Sequence, residues 1–199
     1  MIDFEEVTVK LQSGVDVRLH AWQASNDAIP LVIVAPDSSP SDWDEFISFL
    51  APSNSPLLVN VASAQELLML IQEIGEPVQL LSQGSVATDI VSKTAAAALG
   101  AVTSMIICDG IISPEVIEDL QSISTLLLVG RQSELLSHEE AVLMHDALSN
   151  STLIESENTR HFPAKNNADA AAAAINWFNS SASSDETEFG DSEPIDPKA

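Results

Sequence analysis

The stretch Val78-Gln79-Leu80-Leu81-Ser82-Gln83-Gly84-Ser85-Val86-Ala87 decides how this chain is read. Its first half is a short, nearly continuous apolar run of the kind found where a strand is buried on both faces of a parallel sheet. The segment from Ser85 to Leu99 has the length and alanine content of a helix. Only Ser82, Gln83 and Gly84 lie between the two, so the chain must pass from strand to helix through an abrupt turn.

Outward from this point the same alternation repeats. Apolar runs at Pro30 to Val34, Pro56 to Val61, Met105 to Cys108, Thr125 to Val129 and Ser151 to Ile154 predict further strands. Helical segments are predicted at Asp42 to Leu50, Ala64 to Ile74, Pro114 to Leu120, Glu139 to Leu148 and Asp169 to Phe178. In Ala64 to Ile74 the residues Leu67, Leu68, Leu70, Ile71 and Ile74 form an apolar stripe, leaving Gln65, Glu66, Gln72 and Glu73 to solvent. Before the first buried run, Phe4 to Lys10 and Val15 to Trp22 alternate around a Gln12-Ser13-Gly14 turn and predict an antiparallel hairpin. The expected fold class is α/β: a mostly parallel twisted sheet with helices on both faces and an N-terminal antiparallel hairpin. One domain is expected over residues 1–179. The serine-rich, acidic segment 180–199 reads as a disordered tail.

Thirty acidic residues against seven basic ones give a net charge of −23. Such a surface repels phosphate backbones and anionic membranes, which excludes nucleic acid and membrane as expected partners. No apolar run approaches the roughly 20 residues needed to span a bilayer. The opening Met1-Ile2-Asp3-Phe4-Glu5-Glu6 lacks the basic and apolar regions of a secretory signal, so a cytoplasmic protein is expected. The single cysteine, Cys108, lies in an apolar run and reads as a buried, inert thiol. His138-Glu139-Glu140 starts like a zinc motif, but His145 lies two helical turns on, so no metal site is expected. No phosphate-binding glycine loop occurs, and no cofactor is expected. Trp22, Trp43 and Trp177 read as packing anchors.

The order of elements and the stretch 78–87 resemble the α/β-hydrolase family, whose nucleophile sits at a small-x-nucleophile-x-small elbow between strand and helix. By that resemblance Ser82 matches the first small residue and Gly84 the nucleophile. The segment Gly130-Arg131-Gln132-Ser133 is similar to the loop that carries the family's acid, with Ser133 at the acid's place. His161, in Thr159-Arg160-His161-Phe162-Pro163, matches the catalytic histidine, and Ala35-Pro36-Asp37 stands where the oxyanion loop belongs. The resemblance spans about residues 4–178. Only a short segment, Ile111 to Ser124, occupies the place where many members insert a helical cap, so a minimal, capless member is implied.

The departures bear directly on chemistry. Acyl transfer needs an attacking side chain at the elbow, a histidine to take its proton and an acid to orient the imidazole. Gly84 offers no attacking atom, so His161 has nothing there to deprotonate. Pro36 supplies no backbone N–H, and Asp37 would bring negative charge to the place where an oxyanion must be stabilised. Two readings follow. The first is a hydrolase-like protein that has lost serine-hydrolase activity and binds a protein or a small apolar ligand. The second is an esterase-, lipase- or acyltransferase-like hydrolase with a displaced nucleophile, Ser82 or Ser85, working with His161 and with Asp109 as the acid.

Overall fold

The computed structural model describes residues 3–23, 25, 28–36, 38–157, 159–160 and 167–184, with the side chains of 181–184 left aside. Strands β1 (Phe4–Lys10) and β2 (Asp16–Trp22) form the expected hairpin, with Val7 opposite Leu19 and Val9 opposite Val17. Gly14, at φ 85°, closes its turn, and Leu11 N–H donates to the Val15 carbonyl. That bond keeps Val15 in the exposed turn, so the strand begins one residue later than the sequence suggests.

The remaining strands are β3 (Ile29–Val34), β4 (Asn54–Val59), β5 (Val78–Gln83), β6 (Val102–Cys108), β7 (Ser124–Gly130) and β8 (Ser151–Ser156). Together they make one eight-stranded sheet in the order β1-β2-β4-β3-β5-β6-β7-β8. From β4 to β8 every pairing is parallel, and only the hairpin and its junction with β4 are antiparallel. The chain runs from β3 outward to β4, then returns past β3 to β5. The order therefore reverses between β3 and β5, the kind of switch point where open α/β sheets form a crevice at the strands' carboxyl ends.

Helices α1 (Asp44–Phe49), α2 (Ala64–Ile74), α3 (Gly84–Ala97), α4 (Pro114–Ile117), α5 (His138–Ala147) and α6 (Ala168–Ser184) alternate with the strands. Period-2 alternation sends Val32, Val34, Leu80, Met105, Ile107 and Leu127 to one face of the sheet, beneath α2, α3 and α5. Leu31, Ile33, Leu81, Ile106, Leu126 and Leu128 go to the other, beneath α1 and α6. Helix α2 starts on Ser63, whose side chain accepts the Glu66 N–H, and stops at Gly75, where φ is 76°.

Some boundaries differ from expectation for local reasons. A 3₁₀ turn, Pro40–Asp42, in which the Asp42 carboxylate accepts the Ser39 N–H, precedes α1, so the helix expected from Asp42 begins at Asp44. Helix α6 buries Ala168, Ala171, Ala172, Ile175 and Phe178 and continues to Ser184, past the helix end expected at Phe178. Trp177 falls off that stripe and is 54% exposed, whereas Trp22 and Trp43 are buried as anchors, Trp43 edge-on against Phe46. Between β6 and β7 the chain forms only α4 and a 3₁₀ turn, and among the described residues no cap domain covers the sheet. No helix among the described residues is long and apolar enough to cross a membrane.

Candidate functional site

A cleft of about 520 Å³ opens at the carboxyl ends of the central strands, lined by the segments after β3, β5 and β6 together with Leu135. Its apex is the β5–α3 turn. Gln83 is still extended, at φ −122° and ψ 118°, and Gly84 then takes φ 79° to start α3. Here lies the sharp strand-to-helix bend expected from the sequence, with Gly84 at its tip. A Cβ built on Gly84 would meet no atom of the described residues within 4 Å, so it would clear all of them at the apex of the bend. Glycine adopts this φ without the strain of about 1–3 kcal/mol that a side-chain-bearing residue meets in the left-handed region.

The two serines beside Gly84 differ sharply. Ser82 is fully buried, and its Oγ lies 2.9 Å from Thr88 Oγ1. That hydrogen bond joins the end of β5 to the first turns of α3 and spends the hydroxyl on holding the bend together. Ser85 is exposed and lines the cleft.

Asp109 also lines the cleft, directly after β6, and is buried. It is the one described non-glycine residue with positive φ, 50°. Two contacts fix it there: its N–H donates to the Leu128 carbonyl at 3.0 Å, and its Oδ1 accepts the Gly130 N–H at 2.9 Å. Gly130 must be glycine for this approach, because a Cβ there would lie 2.3 Å from the Thr159 carbonyl oxygen. Gly110 is equally constrained, with Thr88 Oγ1 1.9 Å from any added Cβ. The Asp109-Gly110 pair is thus more than a surface turn: it ties the end of β6 to β7 beside the cleft and packs the strand end against α3. The sequence hint was a glycine after a buried strand, which has too many ordinary explanations to be read alone.

Ser133 turns away from this centre. Its N–H donates to the Gly130 carbonyl at 2.8 Å and its Oγ accepts from Leu135 N–H at 3.2 Å, so it organises the β7–α5 loop and does not line the cleft. Ala35 and Pro36 line the cleft as the oxyanion-loop reading requires, and Ser38 adds a weak 3.5 Å bond to Gln83 Oε1. Asp37 and His161 lie outside the described residues. Buried Cys108, next to Asp109, has its thiol pKa raised well above the ordinary value, mainly by loss of solvent and secondarily by the neighbouring carboxylate. It is no nucleophile in this state.

No protein-family model and no curated protein matches the sequence. Solved structures match it in shape. An esterase domain from a Rhodothermus marinus protein superposes with a TM-score of 0.75 at 9% identity, covering 89% of this chain and 98% of its own. The haloalkane dehalogenase DbeA from Bradyrhizobium elkani USDA94 gives 0.74 at 12% identity, over 92% of this chain and 100% of that one. A meta-cleavage product hydrolase from Pseudomonas fluorescens IP01 gives 0.73 at 10% identity, over 88% and 98%. With its strand order, its β5–α3 elbow and these neighbours, the chain has the α/β-hydrolase fold.

Proposed function

We propose that this chain is a hydrolase-like protein without serine-hydrolase activity, which uses the elbow cleft to bind an apolar ligand or a protein segment. The observation that carries the reading is Gly84 at the apex of the bend, where the chemistry needs an attacking side chain. Further support comes from Pro36 in the facing loop, which supplies no N–H to an oxyanion. Beside the polar Ser38, Gln83, Ser85 and Asp109, the cleft wall has an apolar part made of Ala35, Pro36, Val86, Ala87 and Leu135, with Val86 68% and Leu135 47% exposed. Such apolar area at the mouth of an open cleft suits a ligand or partner that covers it.

A second reading is favoured by one observation: Ser85 and Asp109 line the same cleft. It makes Ser85 the nucleophile, His161 the base and Asp109 the acid. Ser82 fits that role poorly, since burial and the Thr88 bond remove it from approaching substrate. Treating the purified protein with a fluorophosphonate probe and a panel of esters distinguishes the two. No label and no turnover is expected. Labelling that maps to Ser85 and disappears in His161→Ala would establish the second reading in place of the first.

A further inference from the structure

At the opposite end of the sheet, a second cavity of about 470 Å³ lies between the amino ends of the strands and the last turns of α6. It borders the apolar middle of the sheet face, formed by Leu31, Leu81, Ile106 and Leu126. Gln79, Ser104 and Ser124 are paired neighbours on β5, β6 and β7, so three polar side chains form a row under α6. Asn54 of β4 and Asn179 of α6 complete it. Gln79 and Asn179 exchange two amide hydrogen bonds, 2.9 and 3.2 Å, and Asn179 also donates to Asn54 Oδ1 at 3.1 Å.

This cluster is built beyond what the fold requires. Ser104, only 4% exposed, lines the cavity, and its Oγ, sealed behind the cavity wall, has no hydrogen-bond partner among the described residues. A buried hydroxyl left unpaired is costly, and a turn of the Ser104 side chain toward the cavity would let a bound group complete it. Gln79 Nε2 donates once and Oε1 accepts once among the described residues, leaving a hydrogen and a lone pair over. Among the described residues no acidic or basic one lines the cavity, although the chain carries 30 acidic side chains. Ile29, Ala51 and Phe178 supply apolar wall beside the amides.

We propose that this cavity is a binding site for a neutral polyhydroxylated molecule of monosaccharide size. Amides and hydroxyls both donate and accept, so they match ligand hydroxyls, which do the same, while the apolar wall meets C–H faces. Among the described lining residues an anion finds no cation, and the chain as a whole is strongly negative. A cation finds no carboxylate among them, and the Asn54, Gln79 and Asn179 amide oxygens each already accept a hydrogen bond. The volume lies within the roughly 300–1,000 Å³ of small-molecule pockets.

The test is a titration of the isotope-labelled full chain with D-glucose, D-galactose and D-mannitol, reading the side-chain amide signals of Asn54, Gln79 and Asn179 by NMR. Glucose 6-phosphate and glucosamine serve as charged controls. Saturable shifts at these amides with at least one neutral compound are expected, weakened about tenfold in Ser104→Ala, which removes one hydrogen bond. Ser124→Ala, at the half-buried end of the row, provides a second variant should Ser104→Ala disturb folding. Absence of saturable shifts with all three neutral compounds overturns the proposal, as does tighter binding of a charged control or a response confined to the Gly84 cleft.

Discussion

At the scale of single residues, one substitution at two glycines is predicted to destabilise to different degrees. Gly84→Ala adds a methyl to open space, so its only cost is the left-handed backbone, about 1 kcal/mol. Gly110→Ala drives the same methyl into Thr88, whose hydroxyl is held by Ser82, and overpacking there should cost about 2–3 kcal/mol. Urea unfolding of both variants measures the difference, and equal midpoints would refute the packing account. Cys108 gives a third residue-level expectation. Burial and Asp109 both disfavour its thiolate, so iodoacetamide at mildly alkaline pH should leave the native protein unmodified and alkylate it after unfolding. Labelling of the native form at the rate of a free thiol would mean that the β6 end is open.

At the scale of elements, α5 shows how a local cap couples to pH. Ser137 accepts the Glu140 N–H, while its own hydroxyl and N–H donate to Glu140 Oε2 at 2.7 and 2.9 Å. The Ser137 hydroxyl first, and then its backbone N–H, hold the Glu140 carboxyl below its ordinary pKa. A folded pKa below the unfolded one means that the ionised form favours the native helix. The contribution is therefore present above the ordinary carboxylate pKa and is lost as pH falls through the depressed one. Ser137→Ala should move the Glu140 titration upward, followed by NMR of its carboxyl carbon; an unchanged midpoint would remove the cap from the explanation. The 3₁₀ turn before α1 carries the same kind of box, with the Asp42 carboxylate accepting the Ser39 N–H.

At the scale of the whole molecule, a net charge of −23 works against compaction. Raising ionic strength from about 0.01 to 0.15 M shortens the screening length from about 30 to 8 Å, so thermal stability should rise across that range. A flat or falling melting temperature would show that self-repulsion is not a controlling term. Two truncations separate the tail from the sheet. Removing 185–199 should leave cooperative unfolding intact, because the apolar face of α6 ends before that point. Removing 168–199 uncovers the face formed by Leu31, Ile33, Ile106 and Leu126 and should abolish a cooperative transition. If the shorter truncation also abolishes partner capture, the acidic tail and not the cleft is the interacting element.

The layout of the fold was legible in the residues themselves. Unbroken runs such as Leu31 to Val34 can be satisfied only inside a covered parallel sheet, and the Ser82-Gln83-Gly84 turn left no room for anything but a sharp bend. The absence of a side chain at Gly84 was likewise readable, because a missing atom needs no neighbours to be missing. What the sequence could not determine was which polar groups end up together. Ser82 and Ser85 look alike in one dimension, yet one is sealed against Thr88 and the other faces solvent. Gln79, Ser104, Ser124 and Asn179 are separate polar interruptions along the chain, and sheet register and the docking of α6 alone gather them into a cavity. Local pattern fixes the elements because burial is decided strand by strand and helix by helix, whereas a site depends on distances between residues far apart in sequence, which only the packed molecule sets.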